Sequence, residues 1–226
     1  MQILALDTST EYCSVALWQD GEVISHCELV GQKHSEILMP MLDKQLHEAG
    51  VKVADLNGIA FGMGPGSFTG VRIACGVAQG LALGANLPVV GICTLEALAE
   101  GAGKPKVIAA LDARMSEVYH AAYIKQNDVW MNASEPFLCK PDDAPPLEGK
   151  DWFGAGSGFA THGEQLKLQY TNNLKGVDET AIPQAAAIAM LGAARFAARE
   201  GVDAAQALPL YLRNKVALKT SEREAR

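Results

Sequence analysis

A glycine-rich loop is the part of this chain whose residue types could do chemistry most directly. It runs from Gly62 to Gly70 and reads Gly-Met-Gly-Pro-Gly-Ser-Phe-Thr-Gly. Glycines that accept positive φ, around a proline of fixed φ, turn the backbone tightly and leave N–H groups exposed. A P-loop also needs a Lys followed by Ser or Thr to meet the phosphates, and this loop contains no lysine. The loop therefore predicts a tight turn into a helix, not a P-loop.

The helix expected after this loop carries two rows of residues at a spacing of four. One row is Ile73, Val77 and Leu81, and the other is Gly76, Gly80 and Gly84. Each helix glycine costs about 1 kcal/mol relative to alanine, so some interaction should offset the row. A surface without Cβ atoms lets a second helix approach closely. The neighbour could be the protein's own sheet or another chain, and the sequence leaves both open.

Nucleophilic catalysis has no local signature in the sequence. No serine stands in a G-x-S-x-G elbow, and the five cysteines are scattered without a C-x-x-C pair. A triad assembled from distant positions remains open at this stage. An odd number of scattered cysteines is typical of buried, reduced thiols in a cytoplasmic protein.

Bulk composition narrows the class of protein. The chain has 226 residues, about half of them apolar, which is enough for one large domain or two small ones. It carries 19 Lys plus Arg against 26 Asp plus Glu, a net charge of −7, which argues against broad binding to nucleic-acid backbones. The start of the chain lacks the basic region of a signal peptide, and no apolar run reaches the roughly 18 residues that span a bilayer. We expect a cytoplasmic protein with no membrane contact, for which any role with RNA is indirect.

Periodicity and turn residues predict alternating strands and helices. The strands are expected at 3–6, 13–18, 22–29, 59–61 and 87–93, with a hairpin turn at Asp20-Gly21. The helices are expected at 35–49, 71–85 and 95–101, and Thr94 is a candidate cap for the last of them.

The opening pattern then begins again. Ala-Leu-Asp recurs at residues 5–7 and 110–112, each time at the end of an apolar strand that is followed by a second strand, a polar turn and a third. Further on, we expect a short strand within 151–158, a helix at 185–199, an extended piece at 210–213 and a polar tail at 214–226. This predicts two related halves, 1–104 and 105–226, in an α/β fold with mixed sheets. Such a duplication resembles the ribonuclease H-like plan shared by actin, sugar kinases and the heat-shock chaperone ATPases.

Four segments resemble the TsaB family, also called YeaZ, and the resemblance covers nearly the whole chain. They are Ile3–Thr10, Gly64–Ile73, Leu111–Tyr119 and Pro209–Arg213. The resemblance implies a non-catalytic paralogue of the TsaD-type enzyme that transfers threonylcarbamoyl to adenosine at tRNA position 37. It implies a subunit that binds and activates that enzyme as a heterodimer, helps to recruit the ATPase TsaE, pairs with itself when alone and meets tRNA only indirectly.

In that family the first two helices form the contact, which falls here on 35–49 and 71–85. The implied contact residues are Ile37, Leu38, Met41, Leu42, Arg72, Ile73, Gly76, Val77, Gly80, Leu81 and Gly84. The second set contains the glycine row, so the resemblance and the residue pattern agree there.

The TsaD-type enzyme holds its metal with an H-x-x-x-H pair on a helix. This chain has no such pair, and His34, the nearest equivalent, has Leu38 four residues on. We therefore expect no metal and no catalytic residue, and we expect His34 to face solvent near a helix start. This superfamily was once classed with peptidases, but the sequence contains no recognisable peptidase site.

The two aspartates that end the repeated strands are candidates for weak nucleotide binding, because actin-like ATPases place such carboxylates near metal and phosphate. The candidate residues are Asp7, Thr8, Gly64, Gly66 and Asp112. Actin-like ATPases normally have a glycine within two residues of this aspartate, whereas Thr8-Ser9 and Ala113-Arg114 follow here. Asp7 could instead form an Asx turn, and Arg114 could pair with Glu117 or reach the cleft. We expect no tightly bound cofactor, and a stand-alone ATPase or kinase is the alternative function.

Overall fold

Two five-stranded mixed sheets form the framework of the computed structural model, which describes residues 1–213. The first sheet consists of β1 (Gln2–Asp7), β2 (Tyr12–Gln19), β3 (Glu22–Leu29), β4 (Gly58–Gly64) and β5 (Val89–Cys93). The second consists of β6 (Lys106–Asp112), β7 (Val118–Gln126), β8 (Val129–Cys139), β9 (Trp152–Ala155) and β10 (Leu174–Asp178). The helices are α1 (His34–Ala49), α2 (Phe68–Ala85), α3 (Thr94–Ala102), α4 (Ser157–Gln169) and α5 (Ala185–Ala197).

The two sheets repeat one topology. The first has the order β3-β2-β1-β4-β5, with antiparallel pairing on the hairpin side of β1 and parallel pairing on the β4 side. The second has the order β10-β9-β6-β7-β8, in which β6 takes the position of β1. The predicted duplication is therefore confirmed, and the chain has a duplicated actin-like α/β fold with mixed sheets.

Helices cover both faces of each sheet, which is why β1 and β6 are apolar at consecutive positions. Helices α1 and α2 cover one face of the first sheet, and α5 covers the other. Helix α3 covers one face of the second sheet, and α4 covers the other. Helices α3 and α5 also touch each other, with Arg195 Nη2 2.8 Å from Glu96 Oε2. We call the first sheet with α1, α2 and α5 the first lobe, and the second sheet with α3 and α4 the second lobe.

Several predicted boundaries shift in the structure. Helix α2 begins at Phe68, three residues earlier than the apolar pattern indicated. Thr94 does not cap α3, because Cys93 holds the cap position and the Thr94 hydroxyl donates to the carbonyl oxygen of Pro65. The sequence patterns did not predict α4 or β10. The division at residues 104 and 105 stays a prediction, but α5 lies beyond it in sequence and packs on the first sheet.

Candidate partner interface and interlobe cleft

Helix α2 is fixed at both ends by local hydrogen bonds. The Ser67 hydroxyl accepts from the backbone N–H of Gly70 at 3.3 Å, which caps the first turn. Asn86, in the left-handed region at φ 54°, ends the helix. The side that faces β4 is built from small and medium residues. They are Gly70, Val71, Ala74, Cys75, Ala78 and Ala82, all buried.

The glycine row of α2 lies on the opposite, exposed side. Within the described part of the chain, a methyl group added at Gly76, Gly80 or Gly84 would meet no heavy atom within 4 Å. The alternative in which the row packs on the protein's own sheet is therefore wrong. No close contact within residues 1–213 requires glycine at these positions, although each helix glycine costs about 1 kcal/mol relative to alanine. The row is a flat, open strip of backbone.

Apolar side chains flank this strip. Ile73, Val77 and Leu81 are half-buried against the core under α1, and Leu83 is 77% exposed. We call the exposed side of α2, with the glycine row and these neighbours, the α2 face. The glycine strip leaves room for a second surface to approach closely. The aliphatic side chains beside it supply apolar area that such a surface could bury.

The predicted contact residues on α1 need correction. Leu38, Met41 and Leu42 point into the core of the first lobe and are at most 9% exposed. Their helical spacing is that of a core-facing stripe, which the sequence shares with an interface stripe. Ile37 is half-buried, and Met39, which the sequence argument did not single out, is 47% exposed.

Helix α2 is also apolar enough to raise the question of a membrane. By length and composition alone it could cross a bilayer, since its 18 residues have a mean hydropathy of 1.3. Only 33% of that stretch is buried in the protein, although its inner side packs on β4. The same test is passed by helices that lie in the core of a fold, so it is weak evidence for a membrane. The rest of the stretch is apolar surface that residues 1–213 do not bury.

Asp7 lies at the end of β1 and is buried, with 1% of its surface exposed. Its Oδ2 accepts from the Ser9 hydroxyl at 2.8 Å and from the Ser9 N–H at 3.2 Å, which is an Asx turn. Its Oδ1 has no hydrogen-bond partner among residues 1–213. Burial raises the pKa of Asp7 to about 6, against the lowering effect of the bonds from Ser9.

The glycines of the loop make room for this turn. A Cβ at Gly62 would overlap Asp7 Oδ1, a Cβ at Gly66 would press on the Ser9 carbonyl, and one at Gly70 would overlap the Thr8 carbonyl. The Thr8 hydroxyl donates to the carbonyl oxygen of Gly70 at 2.6 Å. The three glycines therefore allow the loop to lie directly against Asp7, Thr8 and Ser9.

A cleft of about 990 Å³ separates the two lobes. Its walls include Gly66, Asp112, Tyr119, Ser157, Thr161 and Tyr211. Of the five residues predicted to bind nucleotide, only Gly66 and Asp112 line it, while Asp7, Thr8 and Gly64 lie outside. The structure therefore does not bring the two repeated aspartates together on the walls of one cavity.

Asp112 is held by its own lobe. Its Oδ1 accepts from the Arg114 N–H at 3.0 Å, its Oδ2 lies 3.3 Å from Arg114 Nη1, and His162 Nε2 lies 3.7 Å from Oδ1. The predicted pair of Arg114 with Glu117 does not form, because Glu117 Oε2 lies 2.6 Å from Arg213 Nη1.

The turn that follows Asp112 has an unusual backbone. Arg114, Met115 and Ser116 have φ values of 62°, 56° and 58°, so three consecutive residues are left-handed. For residues with a Cβ, this conformation costs roughly 1–2 kcal/mol each. Backbone bonds from Ala113 N–H to the Glu117 carbonyl and from Glu117 N–H to the Arg114 carbonyl close the turn. Residues 113–117, which we call the cleft turn, are therefore a strained element at the mouth of the cleft.

The histidine and metal predictions have separate outcomes. His34 is 6% exposed, with Nε2 3.2 Å from the carbonyl oxygen of Tyr12, so the prediction that it faces solvent is wrong. In the part of the chain that the structure describes, no three His, Cys, Asp or Glu side chains are grouped as metal ligands would be.

Comparison with known proteins gives consistent results. The family model described as TsaD, tRNA N6-adenosine threonylcarbamoyltransferase, matches residues 26–220. A protein of Escherichia coli strain K12 named "tRNA threonylcarbamoyladenosine biosynthesis protein TsaB" is 42% identical, over 97% of each chain. A protein of the same name from Haemophilus influenzae is 38% identical, over 97% of this chain and 96% of its own.

Solved structures agree with the sequence relatives. A Pseudomonas aeruginosa protein, described as uncharacterized with similarity to peptidase YEAZ, matches with a TM-score of 0.88 and 42% identity, over 94% of this chain and 99% of its own. Component A of (R)-2-hydroxyglutaryl-CoA dehydratase from Acidaminococcus fermentans has a TM-score of 0.51 at 10% identity, over 87% of this chain and 99% of its own, and shares the fold alone. The chain thus belongs to the TsaB family, also called YeaZ, within the wider family that the TsaD model describes.

Proposed function

We propose that this chain is a non-catalytic subunit in the biosynthesis of tRNA threonylcarbamoyladenosine, and that it binds and activates a TsaD-type transferase through the α2 face. The names of its relatives support the pathway. The observation that carries the proposed binding role is the open glycine row, since no close contact within residues 1–213 requires glycine at these three exposed positions.

The length and the uncharged surface of α2 suit contact with a helix of a homologous partner. A helix of 18 residues is about 27 Å long, enough to present one continuous strip to a second helix. Charged side chains do not interrupt α2 after Arg72, so the strip can be desolvated at low cost. In the absence of the transferase, the same strip would pair two copies of this chain, which gives a homodimer.

The remaining partners are proposed from membership of the TsaB family. In the proposal, the ATPase TsaE is recruited by the assembled pair, and tRNA contacts the complex indirectly in the cytoplasm. The net charge of −7 supports an indirect contact, because a chain of this charge repels a phosphate backbone. The basic tail after Arg213 lies outside the described residues.

Gly80→Arg tests the interface. An arginine in the middle of the row would hold the partner helix away. We expect its affinity for the TsaD-type paralogue to fall about a hundredfold or more, and co-purification to be lost. Gly101→Arg is the matched control, because Gly101 is an exposed helix glycine on α3 with equally open surroundings. Binding of Gly80→Arg at parental strength, by a variant that melts like the parent, would contradict the proposed interface.

The alternative is a stand-alone ATPase or kinase, and the cleft with Asp112 in its wall is the observation that favours it. The location of Asp7, Thr8 and Gly64 outside that cleft weighs against it. Purified chain incubated with ATP and Mg²⁺ separates the two functions. Turnover that Asp112→Asn abolishes would support the enzyme, and its absence at micromolar protein leaves the binding subunit.

A further inference from the structure

We propose that residues 207–213 form a latch between the two lobes, and that this latch couples the first turns of α2 to the cleft turn. We call residues 207–213 the strap. The sequence predicts an extended piece at 210–213, and the strap forms neither a helix nor a strand. The proposal goes beyond the proposed function and requires no partner.

The strap is first attached to the middle of α2. The carbonyl oxygen of Ala207 accepts from Gln79 Nε2 at 2.8 Å and from Cys75 Sγ at 3.3 Å. Both donors belong to the helix that carries the glycine row. The strap therefore begins on the edge of the α2 face.

Its second attachment is at the start of α2 and the end of β4. The N–H of Leu210 donates to the carbonyl oxygen of Met63 at 2.7 Å. Arg72 Nε donates to the Tyr211 hydroxyl at 2.6 Å, and the same guanidinium lies 3.6 Å from the centre of the Phe68 ring. Arg72, predicted as a contact residue, is thus occupied in holding the strap.

Its third attachment is on the second lobe. Arg213 Nη1 lies 2.6 Å from Glu117 Oε2, and Nη2 donates to the carbonyl oxygen of Ala113 at 3.0 Å. The Arg213 side chain is 17% exposed, so the pair is largely shielded from water. One guanidinium therefore grips both ends of the cleft turn, the element with three left-handed residues.

The strap is a short chain whose two ends hold opposite lobes. Leu210, Tyr211, Leu212 and Arg213 also line the cleft. Opening the cleft would stretch the strap, and a shift of α2 at Arg72 would pull on the cleft turn. A segment that can be either attached or released gives the two discrete arrangements that coupling between distant sites requires.

Arg213→Ala should release the latch at its second-lobe end. By hydrogen exchange with mass spectrometry, we expect the amides of Ala113 and Glu117 to exchange at least tenfold faster, with no change in β10. Lys167→Ala is the control, because it breaks a 2.6 Å ion pair with Glu179 in the second lobe away from the strap. Arg213→Lys keeps a cation with N–H donors that can meet Glu117 and the Ala113 carbonyl, so it should exchange more slowly at both amides than Arg213→Ala, which a loss of side-chain packing alone would not produce.

Arg72→Ala tests the coupling itself. Arg72 belongs to the first lobe and contacts Phe68 and Tyr211, yet we expect this variant to speed exchange at Ala113 and Glu117 at least threefold. If exchange in the cleft turn stays within twofold of the parent in Arg213→Ala or in Arg72→Ala, the latch is refuted. A rise spread evenly over β1, β4 and β6 would refute it too, because that pattern reports global unfolding. Partner binding enters neither readout, so a failed interface test would leave this result unaffected.

Discussion

At the level of single residues, the buried His120 contributes a destabilising response to acid. It is 0% exposed, and its Nε2 lies 2.8 Å from the Tyr170 hydroxyl. That hydroxyl donates its one proton to the carbonyl oxygen of Pro145 at 3.0 Å, so His120 Nε2 must carry a proton and donate. His120 Nδ1 has no partner within residues 1–213, and burial lowers the pKa of the imidazole to about 4.

This geometry predicts a loss of stability in mild acid. The unfolded chain protonates His120 near pH 6.5, whereas the folded chain does so near pH 4, so between these values the unfolded state binds more protons. The free energy of unfolding is therefore unaffected by His120 well above pH 6.5. Protonation of His120 in the unfolded chain lowers it by about 2 kcal/mol at pH 5. Urea unfolding of the parent and of His120→Gln at pH 7 and pH 5 measures it, since the variant lacks the titrating ring.

Asp7 works in the opposite direction, because its raised pKa favours the folded state as the pH falls below about 6. The effect of Asp7 is the same in the parent and in His120→Gln, so it cancels when their changes in unfolding free energy are compared. His26→Gln is the control for the loss of a histidine outside the core. An equal change in His120→Gln and the parent would show that His120 does not carry the effect.

Single residues also show where sequence reasoning succeeds and where it fails. The spacing of Gly76, Gly80 and Gly84 correctly placed them in one row on a helix, but only the structure shows that this row is open and does not pack on the protein's own sheet. Leu38, Met41 and Leu42 were misplaced because an apolar stripe at helical spacing looks the same whether it faces a core or a partner. His34 was placed in solvent because its partner, the Tyr12 carbonyl, is 22 residues away in sequence.

At the level of elements, two glycines of α2 should respond in opposite ways to alanine. Gly80→Ala adds a methyl group in open space, so the free energy of unfolding should rise by up to about 1 kcal/mol through better helix propensity. Gly70→Ala drives a Cβ into the Thr8 carbonyl, so it should cost roughly 1–3 kcal/mol. Chemical unfolding of both variants checks the signs. We also expect Gly80→Ala to weaken partner binding, and a loss of stability in Gly80→Ala equal to that in Gly70→Ala would contradict the open row.

Helices and strands differ in how well a local sequence pattern predicts them. The hairpin of β2 and β3 was predicted correctly, because its Asp20-Gly21 turn is a local signal that lies directly between the two strands. Helix α4 was missed because Gly158 and Gly163 weaken its helical pattern and His162 kinks it, at φ −127°. The stabilisation of α4 comes from its packing on β6 through Phe159 and Leu166, which a local pattern does not reveal.

At the level of the whole molecule, the chain crosses back over its own predicted boundary. The repeat correctly predicted two halves with one topology, because Ala-Leu-Asp recurs at the same strand end. It could not show that α5 returns to the first sheet, since packing between segments more than 100 residues apart leaves no periodic trace. The strap follows α5, so the end of the described chain is attached to the first lobe, and Arg213 bonds it to the second.

A fragment cut at the predicted boundary tests this return. Residues 1–104 lack α5, so Ile3, Ala5 and Ala60, each 0% exposed in the whole protein, would face water. Burial of Ile188 alone is worth roughly 1.5–3 kcal/mol, a large share of the net stability of a small domain. We therefore expect the fragment to bind a hydrophobic dye and to unfold without a cooperative transition in circular dichroism.

A chain that ends at Arg213 keeps α5 and the strap and should unfold as cooperatively as the full protein. Co-expression with residues 105–226 should rescue the fragment, because those residues supply α5. Cooperative unfolding of monomeric 1–104 at near-parental stability would mean that the first sheet does not need α5.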